Sequence, residues 1–192
     1  MASLVELGEG DTSSLQQAAS ALEKGHAAAI AAEASKEELS QLLSSRAECA
    51  ELLRENLSAA NDWAAAVRSA AEAAKLWETS LSLELDAQSG STHAAEAAVE
   101  TLCAVGGACM AFGTLALSRD NGELDAKLRR AAQAAVKRAL EVFEEACGLC
   151  DSTRGDDLPD VLQQWARALW EAADVVAHTQ STEARRAAGL DP

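Results

Sequence analysis

Leu39, Leu42, Leu43, Ala47, Ala50 and Leu53 fall at i, i+3, i+4, i+8, i+11 and i+14. That spacing gathers side chains on one face of a 3.6-residue helix. It returns along most of the chain, and no stretch alternates apolar and polar residues for long enough to suggest a strand. Alanine fills many of the positions and opposes helix formation least of all residues. Strand formers are scarce: aromatic residues are 3% of the sequence and tyrosine is absent. The expected fold class is all-α. At 192 residues the chain suits a single helical domain, with residues 1–10 and 181–192 as flexible ends.

A net charge of -15 opposes binding to nucleic acid and to anionic membrane surfaces, and favours solubility or a basic partner. The start, MASLVELGEGD, lacks the cationic and apolar regions of a secretory signal. Glycines 106, 107 and 113 are expected to keep Cys103–Leu117 short of the roughly 18 apolar residues that span a bilayer. Five cysteines fit reduced thiols. The expectation is a soluble, intracellular protein without a membrane span.

Helix boundaries are read from punctuation. Asp11, Thr12 or Ser13 can cap a first helix that Gly25 is expected to break, with a second from His26 to about Ala34. Ser35-Lys36-Glu37-Glu38 has the form of a capping box. A helix over Leu39–Leu53 is expected to end at Arg54-Glu55-Asn56, with Glu37, Glu48, Glu51 and Arg54 facing solvent. Separate helices then follow over about 59–70 and 71–85. Asp86 to Ser91 reads as a loop, Thr92 as the cap of a long apolar helix, and Ser118 to Gly122 as a turn. Helices are expected from Glu123 to about Cys147, and from Leu158-Pro159 onward, fraying after His178. Leu162, Trp165, Leu169, Ala172, Ala173 and Val176 form the expected core stripe of the last one.

Residues 44–76 also carry an ordered set of positions without gaps. Ser45-Arg46-Ala47 opens a helix, Leu53 closes it, and Ala59 and Ala66 are small positions in the next. Asp62 lies within that second helix, Lys75 begins another, and Trp77 holds the following aromatic position. The pattern resembles the tetratricopeptide repeat of chaperone-associated domains, over about residues 12–86. The resemblance implies an antiparallel helix-turn-helix, right-handed solenoid, capped by longer helices over 92–180, with a groove for a protein segment. Members that hold acidic chaperone tails use a clamp of lysine, asparagine and arginine. Lys75 matches one clamp lysine. Ser45 stands where the asparagine would be, Thr79 and Ser80 where an arginine would be, and Gln16 to Ala19 supplies no lysine. Binding of chaperone C-terminal tails is therefore not expected.

Cys147-Gly148-Leu149-Cys150 closes a helix beside Glu144, Glu145 and Asp151, opposite to the cationic helix start that activates a redox thiol. It has no second pair to complete a zinc site. His26, His93 and His178 lie far apart, and no phosphate loop or nucleophile motif occurs. No catalytic residue, metal or cofactor is expected. Trp63 and Trp77 are expected between repeats and Trp165 in the core. Trp170, five residues on, cannot face the same way and is a candidate exposed anchor. Lys127, Arg129, Arg130, Lys137 and Arg138 form a basic cluster, either a solvated face or a dock for an acidic partner. The candidate partner-binding residues are Lys75, Arg46, Trp170, Arg130 and Lys137. The sequence reads as a non-enzymatic protein-interaction module or scaffold. The alternatives are a structural or accessory subunit of a larger assembly and, below it, a thiol- or ligand-binding helical protein.

Overall fold

The structure, a computed structural model, describes residues 12–87, 92–118, 125–153 and 158–187. They form six helices and, among the described residues, no strand: α1 (Thr12–Ala31), α2 (Lys36–Ala59), α3 (Trp63–Ala87), α4 (Thr92–Ser118), α5 (Ala126–Thr153) and α6 (Leu158–Ala187). The expected arm at residues 1–10, the Asp11 cap, the centres of the expected loop at 86–91 and turn at 118–122, and the last residues of the tail lie outside the described residues. The chain divides into two compact units, Met1–Leu83 and Glu84–Pro192.

In the first unit the helices are longer than the punctuation suggested. α1 runs unbroken through Gly25, where an added Cβ would meet nothing within 4 Å. One exposed glycine costs about 1 kcal/mol of helix propensity, too little to end a run of alanines. The real stop is Glu33, in the left-handed region at φ 54. Around it, Ala34 N–H reaches Ala29 C=O at 3.0 Å, a six-to-one bond that satisfies an end carbonyl. The next stop repeats the device. Asn61 sits at φ 60 and Asp62 N–H donates to Leu57 C=O at 2.9 Å, so α2 passes through Arg54-Glu55-Asn56.

Helix starts were more legible. Ser35 caps α2 as expected: its hydroxyl accepts from Glu38 N–H at 3.2 Å, and Glu38 Oε2 accepts from Ser35 N–H at 2.9 Å. Asp62 does not lie within a helix as the repeat pattern required. It caps α3, accepting from Ala65 N–H at 3.2 Å. From there α3 is continuous to Ala87, so the expected division between residues 70 and 71 is absent.

Small residues and hydroxyls join the antiparallel pair α2 and α3. Ala47, Ala66, Ala70 and Ala73 are buried, which lets the backbones come close. Ser80 Oγ donates to Ser40 C=O at 3.1 Å and lies 2.8 and 2.9 Å from the hydroxyls of Ser40 and Ser44. One donor and two lone pairs are thereby all used. Ser69 Oγ donates to Ala50 C=O at 2.8 Å. α1 packs on the other side of α2, where Leu15 is its buried residue. Ala59, expected as a small packing position, is exposed at the end of α2.

The second unit is built on α4, which is apolar on most sides. Ala98–Ser118 is long and apolar enough, by length and composition, to cross a membrane, with mean hydropathy 1.6. The glycines do not interrupt it as expected, because they lie inside the helix. Of that stretch 61% is buried within the fold. Gly106 and Gly113 are where α5 comes nearest. A Cβ on Gly106 would lie 2.7 Å from the ring of Phe143, and one on Gly113 would strike Val136 and approach Ala132 C=O to 2.9 Å. Gly107 is exposed and meets nothing. α5 continues through Gly148 to Thr153, for the same reason that α1 passes Gly25. α6 packs on both α4 and α5.

Candidate functional site

The candidate residues fall on α2 and α3 in the first unit and on α5 and α6 in the second. In the first, α1 and α3 flank α2 and leave a cleft of about 240 Å³. Gln16, Ser20 and Glu23 line it from α1, Arg46 from α2, and Ser69 and Glu72 from α3. Only 16% of the Arg46 side chain is exposed. Its Nη1 donates to Nδ1 of His26 at 3.2 Å, and its Nη2 lies 3.8 Å from Glu72. An imidazole that accepts from a guanidinium must be neutral at that nitrogen. Burial, and then the Arg46 charge, hold His26 below its ordinary value. Arg46 is thus placed in a cleft, but its donors are turned to the walls. Lys75 is exposed on α3 and does not line the cleft. Both cations are visible in the chain, but the cleft is not, because its walls come from three separate helices.

Nearby, Glu51 leaves the solvent face assigned to it. It is partly buried and accepts from the Trp77 indole N–H at 3.2 Å; burial pushes its carboxyl up and that hydrogen bond opposes the rise. Trp77 itself is buried between α2 and α3.

The second surface is on α6, and here the expected register shifts by one residue. The buried positions are Val161, Ala168, Ala172 and Val175, with Trp165 half-buried. Leu162, Leu169 and Val176, assigned to the core, are 44%, 47% and 52% exposed, and Ala173 is exposed with them. Trp170, the candidate anchor, is exposed at 73%. The cause is visible as adjacent apolar pairs: Val161-Leu162, Ala168-Leu169, Ala172-Ala173 and Val175-Val176. Neighbours in a helix are about 100° apart, so each pair serves two faces. α4 and α5 take one face. The other, with Trp170 and Ala166, lies in solvent.

The basic cluster on α5 is partly neutralised. Lys137 Nζ lies 3.4 Å from Glu141, and Arg138 Nη1 lies 3.0 Å from Glu145. Lys127 and Arg130 are exposed. Cys147 and Cys150 sit inside α5, and none of the five cysteines is in a disulfide. Burial pushes the Cys147 thiol up, with Cys150 adding to the rise, so the reactive thiolate is disfavoured there. Among the described residues no cluster of three metal-ligating side chains occurs.

On the α6 face, Leu162, Leu169, Val176 and Trp170 are left between 44% and 73% exposed. Comparison with known proteins adds no relative to this picture: no family model, no curated protein and no solved structure matches the chain.

Proposed function

We propose that the chain is a non-enzymatic protein-interaction module that docks a protein surface against the exposed apolar face of α6. One observation carries the reading: Trp170, 73% exposed, stands beside Leu162, Leu169 and Val176 on one side of a helix whose other side is already packed. Contiguous exposed apolar side chains mark interaction sites more often than isolated ones do, and tryptophan is the residue type that most often carries interface energy. The antiparallel packing of α1, α2 and α3 supports the coarser part of a helical-repeat reading. Their lengths differ from the expected repeat helices, so the proposal rests on α6 and not on a peptide groove.

Trp170→Glu tests it in the full chain by chemical cross-linking in native extract. The expected result is loss of the cross-linked species with helical content and melting unchanged, because Trp170 contributes little to its own unit's core. A cross-linking pattern identical to that of the natural chain would remove the α6 face from the function.

A further inference from the structure

The exposed face of α6 has internal order beyond being apolar. Leu162, Ala166, Leu169, Ala173 and Val176 are all exposed and follow one another at intervals of four, three, four and three residues. That is the heptad spacing of a helix-pairing seam. Read in either direction, the seam runs large, small, large, small, large. A surface that presents the same pattern when reversed is self-complementary, as a two-fold interface requires. We propose, resting on the interaction reading above, that this seam pairs with the same seam of a second copy of the chain, the two α6 helices running antiparallel about an axis at Leu169.

In that pairing Leu162 meets Val176 of the second copy and Ala166 meets its Ala173. The alanines let the helix axes come close while the larger residues fill the space beside them. Trp170 lies next to the axis, so the two indoles face each other across it. The charge distribution supports self-pairing over a basic partner. The sequence has 31 acidic and 16 basic residues, yet none of the five seam positions nor Trp170 is charged. At the polar edge of the seam stand Gln163, Arg167 and Asp174, one charge of each sign, and Arg167 is held by Glu171 of its own helix at 2.9 Å. No acidic block is there for a basic helix to recognise. The acidic remainder of two copies repels, and salt screens that repulsion, so pairing tightens as ionic strength rises. Five seam residues with Trp170 are fewer than the roughly 20–30 residues a side of a standard interface. The pairing is therefore reversible and concentration-dependent.

Sedimentation equilibrium of the full chain tests this. A monomer–dimer equilibrium is expected, stronger at high salt. Leu169→Glu and Trp170→Glu are each expected to raise the dissociation constant by on the order of 30-fold, with the melting profile unchanged. Orientation is read from two single substitutions under mild oxidation, each compared with the natural chain. Leu169→Cys is expected to link the copies at the axis. Leu162→Cys is expected not to, because an antiparallel pair separates those positions by about 21 Å along the helices. A chain that stays monomeric at every concentration and salt, or a dimer that both glutamate variants leave intact, overturns the proposal. Equal linking by both cysteines overturns the antiparallel pairing. If the chain is monomeric but Trp170→Glu removes a cross-link to a different protein, self-pairing fails and the interaction reading stands. If no cross-linked species of either kind depends on Trp170, both fail.

Discussion

The two units solve close helix packing by different means. In the first, α2 and α3 meet through alanines and a group of serine hydroxyls, so part of the contact is hydrogen-bonded and directional. In the second, α4 meets α5 through glycines under Phe143 and Val136, and contact is set by shape alone. A hydroxyl cluster has a fixed register because each donor needs its acceptor. A glycine contact has a fixed distance because any added atom must displace a neighbour. Of the large apolar side chains described in the first unit Ile30 is exposed, whereas α6 in the second exposes Leu162, Leu169, Trp170 and Val176 along one helix. The expected interaction surface lies where packing leaves such an excess.

Gly113→Ala is the sharpest way to break this contrast. Its methyl would collide with Val136 and press on the Ala132 carbonyl, so α4 and α5 must move apart. A loss of about 3 kcal/mol is expected. Gly25→Ala, chemically the same change in a helix with open space, is expected to gain about 0.5–1 kcal/mol. Denaturant unfolding of the two variants gives the comparison; equal effects would mean that glycine sets no distance in the second unit.

Ser80→Ala is the corresponding test in the first unit. It leaves the hydroxyls of Ser40 and Ser44 without their shared partner in a buried place, and about 1–3 kcal/mol should be lost. The loss should appear as faster amide exchange in α2 and α3, with α4 to α6 unaffected. Exchange that quickens equally in both units would contradict a local role.

The smallest expected effect concerns α1. His26 must stay neutral to accept from Arg46, and its folded value lies below the ordinary one. The folded form therefore binds fewer protons than the unfolded one in this range. Stability from the pair is complete above the ordinary histidine value of about 6.5 and is lost as pH falls through the lower folded value. The protection of α1 amides, taken relative to the intrinsic exchange rate at each pH, should fall over that window, and His26→Gln should flatten the response. An α1 profile that does not change with pH in the natural chain would show that the pair holds nothing.

Some of the candidate site was legible in advance. Trp170 could be named as a candidate for exposure, against a core position, because five residues separate it from Trp165 and no straight helix turns both the same way. Leu162, Leu169 and Val176 were placed in the core because a single apolar stripe was assumed. The paired apolar residues along α6 show two faces, but which face the bundle takes depends on α4 and α5. Arg46 could be named from the chain, whereas its enclosure by Glu72 and His26 could not, since those residues lie on other helices.

By itself the sequence determined the helical class, the capping box at Ser35 and Glu38, and the Leu158-Pro159 start of α6. These follow from backbone propensity and hydrogen bonds within a few residues, which any chain with the same local order would share. Tertiary structure decided where the helices stop, because single glycines cost less than continued packing returns, while Glu33 and Asn61 adopt left-handed turns that antiparallel neighbours require. It also decided that Gly106 and Gly113 are contact points and Gly107 is not. And it decided which of the two apolar faces of α6 is left exposed, because only one of them can lie against α4 and α5 at a time.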